Sequence, residues 1–98
     1  MKQEIERIFE ISDLVPAVVQ NDDTGEVLQL AYMNREALLN SIETGTTWFF
    51  SRSQGRLWNK GETVCAILVD ADSDALLVRV KPLEKTDRTE LTGFTPLR

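Results

Sequence analysis

The chain has 98 residues, 42% of them hydrophobic and 28% charged, which bounds it to one ordinary globular domain over 1–98. A net charge of −5 without any long basic run argues against nucleic acid as a partner, since that affinity rests on Lys and Arg neutralising phosphates. The longest apolar run, Val64 to Val69, is too short to cross a bilayer, and Met1-Lys2-Gln3-Glu4 does not read as a secretory leader, so a cytoplasmic protein with no membrane role is expected.

Met1 to Glu10 is charged, with Ile5, Ile8 and Phe9 at helical spacing, so the arm over 1–13 reads either as a short helix or as a pairing segment. Pro16 opens a strand over Ala17 to Gln20. The run Asn21-Asp22-Asp23-Thr24-Gly25 is a turn, because Asn and Asp bond their own backbone and Gly accepts positive φ. With a second strand over Val27 to Met33 this makes a β-hairpin.

Asn34 is a good N-cap, Glu36 suits the first turn, and Gly45 suits the C-terminal stop, so the spacing predicts one main helix over about 34–44. Ala37, Leu38, Leu39 and Ile42 form its apolar face. Thr46 to Phe50 is β-branched and aromatic and reads as a strand. A polar turn, Ser51 to Gly55, leads to a returning strand, Arg56 to Lys60. Val64 to Val69 reads as a buried strand, Asp70 to Asp74 as an acidic turn, and Ala75 to Val80 as a last strand stopped by Pro82. The tail over 84–98 is polar and supplies one edge strand or none.

Strands outnumber the helix, so the fold class is α+β and β-rich. Val18, Leu28, Leu30, Leu38, Ile42, Trp48, Phe50, Leu68, Leu76 and Val78 are the expected core. Exposed strand edges in so small a chain favour pairing with a second copy, and a homodimer is expected. Cys65 is the only cysteine and there is no histidine, so neither an intrachain disulfide nor a zinc site of the usual Cys/His kind is available. Within its apolar run Cys65 reads as a buried, inert thiol.

Three segments carry polar chemistry. Ser51-Arg52-Ser53-Gln54-Gly55-Arg56 offers guanidiniums, hydroxyls and turn amides suited to phosphate oxygens, although a plain polar hairpin loop explains it as well. Leu57-Trp58-Asn59-Lys60-Gly61-Glu62-Thr63 could stack a base on Trp58 and pair a phosphate with Lys60, or could be an aromatic strand end and a turn. Asp70, Asp72 and Asp74 would share one face if extended and would suit Mg²⁺ or Ca²⁺; the commoner fate of such a run is a solvated turn.

These segments occur together and in order, and that order carries a resemblance. Leu14 to Gln20, Gly25 to Asn34, Thr47 to Ser53, Leu57 to Thr63 and Asp72 to Leu77 are similar to successive hallmarks of the phosphoribosyl-AMP cyclohydrolases, over about Leu14 to Val80. The resemblance implies hydrolytic opening of the adenine ring of phosphoribosyl-AMP, a step of histidine biosynthesis. It implies a compact sheet or pseudobarrel in an intertwined homodimer, a zinc held by three cysteines from both subunits, and Mg²⁺ at the aspartates. It further implies a phosphorylated nucleotide held by Ser51, Arg52, Ser53, Trp58, Lys60, Glu62 and Thr63, with Mg²⁺ on Asp70, Asp72 and Asp74.

The chain departs from the family at the reactive parts. The family reads Asp-Cys-Asp-x-Asp in the acidic turn, and Ala71 stands at the cysteine position. Its two later cysteines have no counterpart in Thr86 to Arg98. Asn59 stands where the family has a histidine, and the segment between Thr63 and Asp70 is shorter. No zinc is therefore expected, and no catalytic residue is assigned. Three readings follow: a degenerate or redesigned relative that keeps the fold and ligand binding, a Mg²⁺-dependent hydrolase, or a non-enzymatic interaction domain.

Overall fold

The computed structural model describes residues 2–83 and 92–98. The expected hairpin forms as β1, Val15–Asn21, and β2, Val27–Met33. Its turn is built by Asn21, whose buried side-chain Oδ1 accepts the N–H of Asp23 at 2.9 Å, while Gly25 takes φ 79°. The N-terminal arm resolves as a helix, α1, over Lys2–Ile8, which buries Ile5 and Ile8. Arg35 ties α1 down through two 3.0 Å bonds to the Glu6 carboxylate and lies 5.4 Å over the Phe9 ring.

The main helix, α2, spans Arg35–Thr44. Asn34 caps it by accepting the Ala37 N–H at 2.8 Å, and Gly45 ends it in the left-handed region at φ 74°. Buried Ser41 fixes α2 to the next strand: its Oγ accepts the Trp48 N–H at 2.9 Å and donates to the Ala37 carbonyl.

The remaining strands are β3, Thr46–Ser51, β4, Arg56–Val69, and β5, Leu76–Lys81. Where the sequence reads as two strands, Arg56 to Lys60 and Val64 to Val69, the chain makes one. Gly61 at φ 86° lets β4 turn without stopping, so its first half pairs with β3 and its second with β5. The five strands order as β2-β1-β5-β4-β3, with β1 and β5 parallel and the other pairs antiparallel. The sheet curls into a half-barrel, and Lys60 of β4 reaches the Gln29 side chain of β2 across its mouth.

Strand alternation decides the core. Val15, Ala17 and Val19 of β1 and Leu76, Val78 and Val80 of β5 point inward, with Leu28, Met33, Leu38 and Phe49 packed on them. The expected Leu28, Leu38, Leu76 and Val78 are there. Val18, Leu30 and Leu68 are not; they lie one step out of phase and therefore on the opposite face, with Leu30 49% and Leu68 45% exposed. Ile42 is on the outer side of α2, and Trp48 and Phe50 are half-buried because Phe49 between them takes the inward place. The burial expected of Cys65 also fails: it is exposed, at the register shift between Val64 and Ala66, where it has no cross-strand partner.

The tail over 84–91 lies outside the described residues. Beyond it, Thr92 donates from Oγ1 to the Val27 carbonyl at 2.7 Å and the Gly93 N–H donates to Leu28, which covers part of the free edge of β2.

Candidate functional site

The seam between β2 and β3 leaves an open cleft of about 560 Å³, lined by Gln29 to Tyr32, Phe49 to Ser53 and Trp58. That volume falls in the range that holds a nucleotide-sized ligand. The Arg52 guanidinium lies 4.0 Å over the Tyr32 ring and so bridges the two edges. Trp58 is set by Phe49, with ring centroids 5.4 Å apart. The loop Ser51 to Gly55 holds its own shape: Ser51 Oγ accepts the Gln54 N–H at 3.2 Å, and the Ser51 carbonyl accepts the Gly55 N–H at 2.8 Å. Among the described residues Arg52 has no ion-pair partner, which leaves its charge available to an anion.

Lys60, Glu62 and Thr63 lie further along β4. Thr63 is exposed and is not part of the cleft lining. Glu62 is 2% exposed and faces fully buried Thr47. Thr47 Oγ1 donates to Glu62 Oε1 at 3.0 Å, and the Glu62 N–H returns to Thr47 Oγ1 at 3.1 Å. The second carboxylate oxygen lies 3.5 Å from Lys60 Nζ, which also donates to Gln29 Oε1. Glu62 thus meets its partners inside the half-barrel, and neither it nor Lys60 is among the residues that line the cleft. Sequence reasoning missed Thr47, Gln29 and Tyr32. A threonine at an inward position of the otherwise bulky run Thr46 to Phe50 was the available sign for Thr47; the other two carried none.

The acidic segment is a turn and not the extended run considered from sequence. Asp70 Oδ1 accepts the N–H groups of Asp72 at 3.0 Å and Asp74 at 3.2 Å, and the Ser73 N–H bonds the Asp70 carbonyl at 2.9 Å. Even so, one carboxylate oxygen from each of Asp70, Asp72 and Asp74 can lie within 4.8 Å of the others. The Asp74 N–H, followed by hydrogen bonding with the Asp74 carboxyl, holds the Asp70 carboxyl below the usual aspartate range. Hydrogen bonding with the Asp70 carboxyl and its negative charge push Asp74 above that range. Three hard oxygen donors at one exposed turn fit Mg²⁺. They do not fit zinc of the family type: Ala71 has no ligand atom, the single thiol is on β4, and there is no imidazole.

Register relates the two regions. Ala31, Ala17, Leu76 and Val69 form one row across β2, β1, β5 and β4. Tyr32 and Asp70 each follow by one residue at the two ends of that row. Asp70 and the Tyr32–Arg52 stack therefore stand at one level of the sheet, three strand spacings or roughly 14 Å apart measured across it.

The family model of phosphoribosyl-AMP cyclohydrolases matches residues 29–90. A phosphoribosyl-AMP cyclohydrolase of Clostridium botulinum (strain Kyoto / Type A2) is 53% identical over 94 residues, covering 88% of this chain and 86% of its own. One of Listeria innocua is 55% identical over 73 residues, covering 68% and 70%. A histidine biosynthesis bifunctional protein of Bacillus subtilis is 50% identical over 88 residues, covering 84% of this chain and 42% of its own length.

Proposed function

This chain belongs to the phosphoribosyl-AMP cyclohydrolase family of histidine biosynthesis, and from that premise we propose that it binds a phosphorylated adenine nucleotide without zinc-dependent ring opening. The observation that carries the binding half is the cleft. It presents a guanidinium on Tyr32 that has no ion-pair partner among the described residues, an aromatic Trp58 for a base, and hydroxyls of Ser51 and Ser53 on one seam. Phosphate oxygens suit the guanidinium fork, and a purine suits the indole face.

The donor set supports the other half. With Ala71 at the family's cysteine position, one thiol in all and no histidine, the chain has neither the ligands to hold zinc nor an imidazole to take a proton from water. Asp70, Asp72 and Asp74 would hold Mg²⁺ here, and the ion would supply a point of attachment for phosphate or ribose oxygens. The register distance of roughly 14 Å lets one extended nucleotide reach from Arg52 toward the acidic turn. The cytoplasmic setting goes with this reading.

A homodimer belongs to the same proposal. Leu30, Val18, Leu77 and Leu68 are register partners across four strands and form an apolar row on the outer face. Leu30 and Leu68 are close to half exposed, and a second copy would cover them.

A second reading, a Mg²⁺-dependent hydrolase, is favoured by the identity of 50–55% to proteins named for the activity or its pathway and by the intact aspartates. Calorimetric titration with AMP tests the binding half. We expect measurable binding that weakens severalfold in Arg52→Ala; identical titrations of the two proteins would reduce the loop to a solvated turn.

A further inference from the structure

We propose that a second copy of this chain packs on the outer face of the sheet about a two-fold axis parallel to the strands, which sets Arg52 of each copy against the acidic turn of the other. This rests on the homodimer reading above and gives that dimer an orientation and a polar contact.

The outer face is self-complementary in shape. Leu30, Val18, Leu77 and Leu68 run in one row over β2, β1, β5 and β4. Leu30 stands out at one end, 49% exposed. Toward the other end lies a hollow of about 420 Å³, whose lining includes Val18, Leu77, Leu68 and Asp70. A two-fold contact repeats every pairing, so a knob and a hollow on one copy can meet a hollow and a knob on the next. An axis along the strands, between β1 and β5, reverses the row and keeps each residue at its own level. Leu30 then faces the partner's Leu68, and Val18 faces the partner's Leu77.

Charge decides between this axis and the alternative. Tyr32 lies two residues beyond Leu30 and Asp70 two beyond Leu68, so both stand roughly 7 Å along the strands from the row, on the same side of it. Side chains alternate, so Tyr32 shares the outer face with Leu30. The Arg52 guanidinium lies 4.0 Å over the Tyr32 ring and has no ion-pair partner among the described residues. At the opposite end, Asp70, Asp72 and Asp74 gather three exposed carboxylates. Reversing the row at constant level brings the guanidinium of each copy to the partner's carboxylates, twice per dimer. An axis along the row would instead lay Leu30 on the partner's Leu30 and turn the strands end for end. The acidic turn would then meet the level of Ala66 and Arg79, and Arg79 is already tied to Asp22 at 3.2 Å. The first axis gives both charged groups a new partner, and the second gives neither one.

The test uses the 98-residue chain in buffer free of nucleotide and Mg²⁺, which would compete for the same groups. Arg52→Glu, and separately Asp72→Lys combined with Asp74→Lys, put like charges at both contacts of their own dimer. We expect each to dimerise at least roughly tenfold more weakly than the parent in sedimentation. An equimolar mixture of the two restores opposite charges at both contacts and should form a heterodimer close to the parent's affinity. A mixture that stays monomeric, or variants that dimerise as the parent does, overturns the proposal. Should the charge variants not fold, cysteine pairing in a Cys65→Ser background decides. Leu30→Cys mixed with Leu68→Cys should give a disulfide between the two, and Leu30→Cys alone should give none. Self-linking of Leu30→Cys, or no link in the mixture, overturns the axis. A parent that is monomeric throughout would instead sink the homodimer reading on which the proposal stands, and the proposal with it.

Discussion

Thr47 shows how much can hang on one hydroxyl. It is the hydroxyl donor to a buried carboxylate and the acceptor of that residue's own N–H. Thr47→Val keeps the shape and removes both bonds, leaving buried polar groups unsatisfied, so we expect a loss of roughly 1–3 kcal/mol in denaturant unfolding. A change near zero would mean that water takes the place of the hydroxyl. The acidic turn makes a prediction in pH. Asp70 is held low by the Asp74 N–H and then by the Asp74 carboxyl, so its contribution to stability is present above its unfolded pKa and fades as pH falls through its lowered folded value. Asp74 is raised by the Asp70 carboxyl, so its contribution has the opposite sign: present below its unfolded pKa and lost as pH rises through its raised folded value. An NMR acid titration should find Asp70 titrating below and Asp74 above an ordinary aspartate. Asp74→Asn should remove the upper step and ease the turn at neutral pH. Both groups titrating alike would show that they do not interact.

At the scale of elements, legibility followed the range of the deciding contact. α2 could be read because Asn34, Glu36 and Gly45 act within a turn of the helix they bound. The hairpin β1–β2 could be read because Asn21 and Gly25 settle its turn locally. β4 could not, because Gly61 looks like a break in sequence and only the change of partner from β3 to β5 shows why the strand continues. The core assignment missed by one residue at Val18 of β1, Leu30 of β2, Trp48 and Phe50 of β3 and Leu68 of β4, since an unbroken apolar run such as Val64 to Val69 does not say which alternate set faces in. Of the residues that line the cleft, Ser51, Arg52 and Ser53 could be read as one polar segment and Trp58 as part of the next, and only the resemblance set the two segments side by side. The partners Tyr32, Gln29 and Thr47 could not be read, because each comes from another strand and is chosen by the curl of the sheet. Truncation separates the two faces. Leu38→Ala, in the core, should cost about 2–5 kcal/mol. Leu30→Ala, on the outer row, should cost much less in the isolated protomer, and equal losses would contradict the assignment of faces.

For the whole molecule, the sheet puts the cleft that carries Arg52 and an acidic turn at one level and leaves an apolar row between them on its outer face. A second copy over that row would cover Leu30 and Leu68, and Leu30→Asp should then convert dimer to monomer in light scattering while keeping the far-ultraviolet spectrum. A parent that is monomeric at high concentration would contradict the dimer. The fold is that of a hydrolase family, while the donor atoms available in the chain fall short of the family's zinc chemistry. Ring opening of phosphoribosyl-AMP therefore decides between the readings, followed spectroscopically with chelator-washed protein to which zinc or Mg²⁺ is added back. The predicted result is a rate at background under every condition, beside measurable AMP binding. Robust turnover restored by either metal would contradict it, and turnover with Mg²⁺ alone that is lost in Asp72→Asn would establish a working, zinc-independent enzyme.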